Sequence, residues 1–180
     1  MILKREESIL VAIDFQEKLM PAVKMNEELE KTVAKLIQGC KILDLPIIVS
    51  QQYTKGLGET IPSIKEVLGT FDPIEKTSFS CCGEETFIKA LKETGKKSVI
   101  IAGIEAHICV QQTVLDLLEL GYNVFLVNDC VGSRNNNDKK YAVRRMTESG
   151  AIGTTYESVL FELCRNAKAD GFKEISKLVK

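Results

Sequence analysis

The fold of this chain is decided by residues 98–120, SVIIAGIEAHICVQQTVLDLLEL. Residues 98–102 form an apolar run that predicts a strand buried on both faces, and residues 110–120 place apolar side chains at helical spacing. A buried strand that leads directly into a helix is the unit from which parallel α/β sheets are built. The turn between the two, residues 103–110, carries Cys109.

The same alternation of strand and helix continues along the chain. Strands are predicted over residues 9–13, 47–49, 99–102, 124–127 and 151–155. Helices are predicted over residues 26–43 (with Asn26 as the cap), 83–93, 110–120, 138–149, 158–164 and 169–179, and a loop over residues 51–63. This order predicts a three-layer α/β/α sandwich around a mainly parallel, Rossmann-like sheet, in a single domain over residues 1–180.

Composition and charge exclude several classes of protein. The chain has 180 residues, of which 44% are hydrophobic and 27% charged, as is ordinary for a globular protein. A net charge of −1 gives no general attraction to nucleic acid or to an anionic membrane. The apolar runs are too short to cross a bilayer, and the charged first residues lack the apolar core of a signal peptide. A cytoplasmic protein without nucleic-acid or membrane partners is therefore predicted.

The cysteines give no sign of a metal site. There are six of them, no two spaced as CxxC, and His107 is the only histidine. A structural zinc site has no support in this pattern, so neither a metal nor another cofactor is predicted. We expect reduced thiols, because no secretory signal is seen. The adjacent Cys81 and Cys82 are expected to pack in the core or line a pocket, since a disulfide between neighbours would be strained.

Cys109 differs from the other cysteines in its position at the start of a helix. Free N–H groups and the helix dipole favour a thiolate there. The same N–H groups could hold the oxyanion formed when the thiolate attacks a carbonyl. Burial statistics alone favour a small buried hydrophobe instead. We do not expect His107 to act as its base, because residues two apart at a helix start do not face each other. A structural or subunit-facing role is expected for His107.

Polar residues also follow the ends of two other predicted strands. Asp14 comes directly after the first strand, and Gln52 lies just beyond the second. Ligands of parallel sheets bind beyond the carboxyl ends of the strands. Asp14, Gln52 and Cys109 are therefore expected to converge on one crevice. Taken singly, Asp14 is more typical of a helix cap and Lys76 of a solvated surface charge.

Three segments resemble the isochorismatase-like cysteine hydrolases, which include nicotinamidases, N-carbamoylsarcosine amidase and isochorismatases. They are ILVAIDFQ at 9–16, EK at 75–76 and GIEAHICV at 103–110. The segment SQQYTKGLG at 50–58 looks like the subgroup of isochorismatase-domain-containing proteins. The resemblance covers nearly the whole chain, with the segments in the family's order and spacing.

The resemblance implies a catalytic triad of Asp14, Lys76 and Cys109. Asp14 would accept the thiol proton and return it to the leaving amine, and Lys76 would favour the ionised states of both neighbours. Water would then hydrolyse the thioester on Cys109. The resemblance also implies a cis peptide bond between Ile104 and Glu105, and an oxyanion hole made by the backbone N–H groups of Glu105 and Cys109. The Glu105 side chain itself could equally be that of a solvent-exposed turn residue with no part in the site.

The substrate is less well defined than the family. Nicotinamidases share an Asp-x-His metal pattern after the second strand, whereas residues 50–53 here read SQQY, so nicotinamidase activity is not expected. True isochorismatases lack a cysteine at the position of Cys109, whose presence argues for a small amide or carbamoyl-type C–N bond. We expect a small, mostly uncharged substrate. The expected pocket walls are Phe15, Gln52, Tyr53, Phe79 and Ile108. The aromatic residues and the isoleucine among them could equally be ordinary core residues.

Two other classes of function stay open. One is a catalytically inactive binding module of the same fold, although the intact triad argues against it. The other is a thiol redox sensor, which needs a resolving cysteine near Cys109; the sequence does not place Cys81, Cys82 or Cys130 there. A homo-oligomer with a small-molecule substrate is predicted, and the helix at 169–179 is a candidate for packing on a partner subunit.

Overall fold

The protein is described by a computed structural model that covers residues 1–180. Six strands form one sheet in the order β3-β2-β1-β4-β5-β6, and every neighbouring pair is parallel. The strands are β1 (Ser8–Ile13), β2 (Ile47–Gln52), β3 (Ile74–Lys76), β4 (Ser98–Ile104), β5 (Asn123–Gly132) and β6 (Ile152–Thr154). The helices are α1 (Asn26–Ile42), α2 (Thr54–Leu57), α3 (Pro62–Leu68), α4 (Glu85–Glu93), α5 (Gln111–Glu119), α6 (Asn136–Glu148), α7 (Tyr156–Cys164) and α8 (Phe172–Leu178). The predicted three-layer fold is confirmed.

Helices cover both faces of the sheet, which is why its central strands are apolar throughout. Every residue of β1 is buried. Leu10 and Ala12 join the core beneath α1, α3, α7 and α8. Ile9, Val11 and Ile13 join the core beneath α4, α5 and α6. Each large side chain buried in this way stabilises the fold by roughly 1.5–3 kcal/mol, so both faces of β1 anchor a helical layer.

The region between β2 and α4 is more regular than the sequence predicts. The loop expected over residues 51–63 contains the end of β2, all of α2 and the start of α3, and β3 adds a sixth strand at the edge of the sheet. With four residues in α2 and three in β3, neither element is long enough to show a periodic pattern. The loop prediction is therefore wrong for most of this stretch.

The helix caps differ from the prediction at α6 and α1. α6 begins two residues early because the Asn135 side chain accepts a hydrogen bond from Asn137 N at 2.8 Å. Asn26 does not cap α1 but is its first residue, and its side chain donates to the carbonyl of Met20 at 3.3 Å. Within the chain, α8 packs against α1 and α7 and buries Ile175 completely. None of the eight helices has the length and apolar character needed to cross a membrane.

The parallel order brings four strand ends to one edge of the sheet. Asp14 follows β1, Lys76 ends β3, and Gln52 ends the strand between them. Cys109 lies beyond β4, in a π-helical turn over Ala106–Val110 that leads into α5. Residues far apart in the sequence therefore meet at this edge.

Candidate active site

An ion pair between Asp14 and Lys76 forms the centre of the site. Lys76 Nζ lies 2.7 Å from Asp14 Oδ2, and both side chains are 0% exposed. The ammonium group also donates to Gln52 Oε1 at 2.6 Å and to the carbonyl of Phe79 at 3.0 Å. Burial alone would lower the pKa of Lys76, but the charge of Asp14, followed by that of Cys109, outweighs it and the pKa is raised. Lys76 is therefore a cation at neutral pH.

The other oxygen of Asp14 is held by Ser50. Ser50 Oγ donates to Asp14 Oδ1 at 2.8 Å, and the Ser50 carbonyl accepts from Asp14 N at 3.2 Å. Asp14 itself has φ 57°, a left-handed conformation that aspartate tolerates better than most residues. No helix begins at Asp14, so the helix-cap alternative is wrong.

Cys109 lies close enough to this carboxylate for the charge of Asp14 to act on its thiol. The residue is 5% exposed. Burial, followed by the charge of Asp14, raises the pKa of Cys109 to about 12, and the opposing effect of Lys76 is weaker. The expectation that the helix start favours a thiolate is therefore wrong for the resting site, which holds a thiol beside a carboxylate.

The turn that carries Cys109 is closed by two hydrogen bonds to one backbone carbonyl. The carbonyl of Glu105 accepts from Ile108 N at 3.0 Å and from Val110 N at 3.3 Å, and Cys109 N is not among its donors. Thr113 Oγ1 donates to the carbonyl of Cys109 at 2.7 Å. The peptide bond that precedes Glu105 is cis. The role of the N–H groups of Glu105 and Cys109 as an oxyanion hole stays a prediction.

The Glu105 side chain is buried and paired with Arg134. Glu105 is 8% exposed, and Arg134 Nε lies 3.0 Å from each of its carboxylate oxygens. Burial would raise the pKa of Glu105, but the hydrogen bonds and charge of Arg134 outweigh it and the pKa is lowered. The solvent-exposed alternative for Glu105 is therefore wrong. Arg134 was missed by the sequence reasoning, although its place just beyond the end of β5 was a usable signal.

His107 forms its hydrogen bond away from the thiol. Its Nδ1 lies 3.0 Å from Ser133 Oγ, while Glu105 Oε2 and Asp138 Oδ2 are each 4.0 Å from one of the ring nitrogens. These contacts tie the π-helical turn to the segment between β5 and α6. They fit the structural role expected for His107 and give it no part in activating Cys109.

A cleft of about 150 Å³ opens beside Cys109. Three of the expected pocket walls, Gln52, Phe79 and Ile108, line it. The other residues of its lining are Leu19, Leu57, Glu105 and Arg134. The cleft is thus mostly apolar, and its charged lining residues, Glu105 and Arg134, are already paired with each other.

Phe15 and Tyr53 do not line the cleft. Phe15 is 2% exposed and packs in the core beneath α1. Tyr53 is 51% exposed and precedes α2 with φ 37°. The expectation that these two residues form pocket walls is therefore wrong, and for Phe15 the plain-core alternative holds.

The remaining cysteines are also free thiols. Cys81 is buried, and its thiol donates to Ser50 Oγ at 3.5 Å. Cys82 is half-buried, and its backbone N–H donates to Ser80 Oγ at 3.1 Å. No group of three or more His, Cys, Asp or Glu side chains is arranged to hold a metal ion.

Comparison with known proteins identifies the family of this chain. Residues 8–158 match the Isochorismatase domain. The chain belongs to the isochorismatase family. Isochorismatase domain-containing protein 2 of Danio rerio is 41% identical over 180 residues, which cover 98% of this chain and 89% of that protein. Isochorismatase domain-containing protein 1 of Salmo salar is 38% identical over 173 residues, which cover 96% of this chain and only 61% of that protein.

Solved structures have the same fold. The MAR1 ribonuclease of Caenorhabditis elegans superposes with a TM-score of 0.93 at 41% identity, covering 99% of this chain and 92% of that one. The YcaC protein of Escherichia coli, an octameric hydrolase of unknown specificity, superposes with a TM-score of 0.93 at 28% identity, covering 98% and 90%. The chain therefore has the fold of an isochorismatase-family hydrolase.

Proposed function

We propose that the protein is a cysteine hydrolase that cleaves a small amide or carbamoyl-type C–N bond. The observation that carries the proposal is the buried Asp14 carboxylate, which is 2.7 Å from Lys76 Nζ and whose charge acts on the thiol of Cys109. A thiol with a pKa of about 12 is a poor nucleophile unless a base takes its proton during attack. Asp14 is in position to be that base.

The reaction then proceeds in two halves. Cys109 sulfur attacks the carbonyl carbon while its proton passes to Asp14, and the backbone N–H groups of Glu105 and Cys109 donate to the oxyanion. Asp14 gives the proton to the nitrogen, the C–N bond breaks and a thioester remains on Cys109. Water attacks the thioester as Asp14 takes a proton from it. The acid product leaves, and the sulfur recovers the proton as a thiol.

The lining of the cleft favours a small neutral substrate. Its volume is about 150 Å³, and five of its eight lining residues are hydrophobic. Lys76 is paired with Asp14, and Arg134 with Glu105, so a charged substrate finds no unpaired partner of opposite sign among these groups. A charged group would lose its hydration on entry without compensation.

Reactivity of Cys109 with iodoacetamide tests the role of Asp14, and Cys82 is a matched comparison. The pKa of each thiol is raised to about 12, mainly by burial, but Cys82 is more exposed and interacts with the hydroxyl of Ser80, whereas Cys109 interacts with the carboxylate of Asp14. We expect peptide mapping to find Cys109 labelled first in the wild type. Asp14→Asn should slow Cys109 at least tenfold and leave Cys82 unchanged. Labelling of Cys82 before Cys109 would show that exposure governs reactivity and would refute the proposal.

Turnover is tested by ammonia or amine release from a panel of small amides, ureas and carbamoyl compounds. Cys109→Ser should give no product, because a hydroxyl is a far weaker nucleophile beside the same base. The two alternatives give other results. A binding module would label at Cys109 without cleaving any compound, and a redox sensor would form a reversible disulfide with peroxide while the panel stays intact.

We infer from the octameric E. coli relative that this chain also forms a homo-oligomer. Light scattering on the eluting protein measures its mass directly, and a monomer of 20.0 kDa would contradict the inference. The ribonuclease activity named for the C. elegans relative is not extended to this chain. A net charge of −1 gives no general attraction to an RNA backbone, and the arginine of the cleft is already paired with Glu105.

A further inference from the structure

Asp14 is held at both carboxylate oxygens, and only one of its two partners belongs to the triad. Lys76 Nζ donates to Oδ2, whereas Ser50 Oγ donates to Oδ1 at 2.8 Å. Ser50 is fully buried in β2, and its carbonyl also accepts from Asp14 N. A fully buried carboxylate is stabilised when each of its oxygens accepts a hydrogen bond. With both oxygens held, the carboxylate cannot rotate away from Cys109.

The Ser50 hydroxyl is itself held by a cysteine that the proposed reaction does not use. Cys81 Sγ donates to Ser50 Oγ at 3.5 Å, and Cys81 N donates to Thr113 Oγ1 at 2.9 Å. Burial, followed by the charge of Asp14, raises the pKa of Cys81 to about 11, so this thiol keeps its proton at neutral pH. A hydroxyl has one proton to donate, and an oxygen that accepts from Cys81 has its own proton free for Asp14.

We propose that Ser50 is a positioning residue for Asp14, and that Cys81 fixes the direction of the Ser50 hydroxyl so that its proton points to Asp14. The hydroxyl stabilises the charged carboxylate and holds its plane in place for proton transfer from Cys109. This inference rests on the proposed function, in which Asp14 is the base. It also gives the Cys81 thiol a purpose other than packing.

The pH dependence of Cys109 labelling by iodoacetamide measures this effect without a substrate. The rate should rise with pH, because the base that accepts the Cys109 proton must itself carry its charge. Ser50→Ala removes a donor to the charged carboxylate, so the midpoint of this rise should move up by about one pH unit, with an about tenfold slower rate below the midpoint. Cys81→Ala should move the midpoint in the same direction by a smaller amount.

Conservative variants and a neighbouring control separate positioning from general damage. Ser50→Thr and Cys81→Ser keep an O–H donor and should bring the midpoint back toward that of the wild type. Cys82→Ala, at the adjacent half-buried position, should not move the midpoint. Thermal melts accompany each variant, and Cys81→Ala carries the test if Ser50→Ala does not fold.

Asp14→Asn distinguishes failure of this inference from failure of the proposed function. If Asp14→Asn keeps the acidic rise of the wild type, Asp14 is not the base and both proposals fall. If the rise is lost in Asp14→Asn but unmoved in Ser50→Ala and Cys81→Ala, only the positioning role is refuted. A slower rate with an unshifted midpoint in the two alanine variants would likewise refute it, since that is the result of a merely structural role.

Discussion

Replacing Lys76 with methionine measures how strongly the buried ion pair holds the site together. Methionine is similar in length but leaves the Asp14 carboxylate without its cation, in a place where neither side chain has any exposure. The oxygens of Gln52 and Phe79 lose the same donor. Removing one partner of a buried ion pair typically costs about 3–5 kcal/mol, because the other charge stays buried without compensation. We expect Lys76→Met to lower the free energy of unfolding by that amount.

The double variant separates the pair from its surroundings. Asp14→Asn keeps an oxygen for the Ser50 hydroxyl but has no charge, so Lys76→Met should cost less in the Asp14→Asn background than in the wild type. The difference between the two costs is the coupling energy, expected to exceed about 1 kcal/mol for groups in direct contact. Urea denaturation at pH 7 measures all four proteins, with constant slopes showing that the unfolding transition has not changed in kind.

The pH dependence gives the sign of the same effect. The pKa of Lys76 is raised in the folded protein above its usual 10.5. The ammonium group therefore contributes its full stability below pH 10.5, and the contribution is lost as the pH rises through the higher folded value. The difference between wild type and Lys76→Met should stay constant from neutral pH to about pH 10 and shrink above it. A cost below about 1 kcal/mol, or strictly additive single variants, would refute the reasoning.

Three other outcomes are expected. Asp14→Asn, Lys76→Ala and Cys109→Ser should each reduce turnover by about a thousandfold or more while circular dichroism still shows folded protein, and near-wild-type turnover in any of them contradicts the triad. Arg134→Ala should lower stability at pH 7 by at most about 1 kcal/mol, because the Arg134 side chain is 60% exposed and its charge is screened. The pKa of Glu105 is lowered in the folded state, so the stability that its pair with Arg134 contributes is present above about pH 4.5 and is lost as the pH falls through the folded pKa. Measuring the unfolding midpoint at a series of acidic pH values checks this. Chelators should leave turnover unchanged, and elemental analysis that finds one zinc or iron per chain would contradict this.

The sheet and its long helices were predictable because their signals are local. A run such as β1, apolar at every position, forms a strand buried on both faces, and helical spacing of apolar residues is clear over the 17 residues of α1. The meeting of Asp14 and Cys109 was also predictable, because both follow strands of a parallel sheet. The position of Lys76 was not predictable in this way, since β3 has only three residues and a charged sequence. Only the resemblance to a family placed Lys76 beside Asp14.

Other features of the site depend on contacts that the sequence does not display. The contacts that Ser50 makes with Asp14 and Arg134 with Glu105 became visible only when β2 and β5 were positioned around β1 and β4. The error at Phe15 has a backbone cause, since the residue before it has φ 57° and turns the chain, and the ring enters the core. The wrong prediction of a thiolate at Cys109 has an electrostatic cause. The helix start was visible in the sequence, whereas the burial and the carboxylate that outweigh it were not.

The charges of the site explain how a thiol with a high pKa can still react. Before proton transfer the buried group consists of a neutral thiol, the Asp14 carboxylate and the Lys76 ammonium; afterwards it consists of a thiolate, a carboxylic acid and the same ammonium. The net charge of the group is zero in both states, so the transfer buries no additional charge. Ionisation of Cys82 would instead bury a new charge, because the neighbouring Ser80 offers a hydroxyl, which does not take up the proton. Although burial raises the pKa of both thiols to about 12, only Cys109 has a neighbour that lets it lose a proton at no such cost.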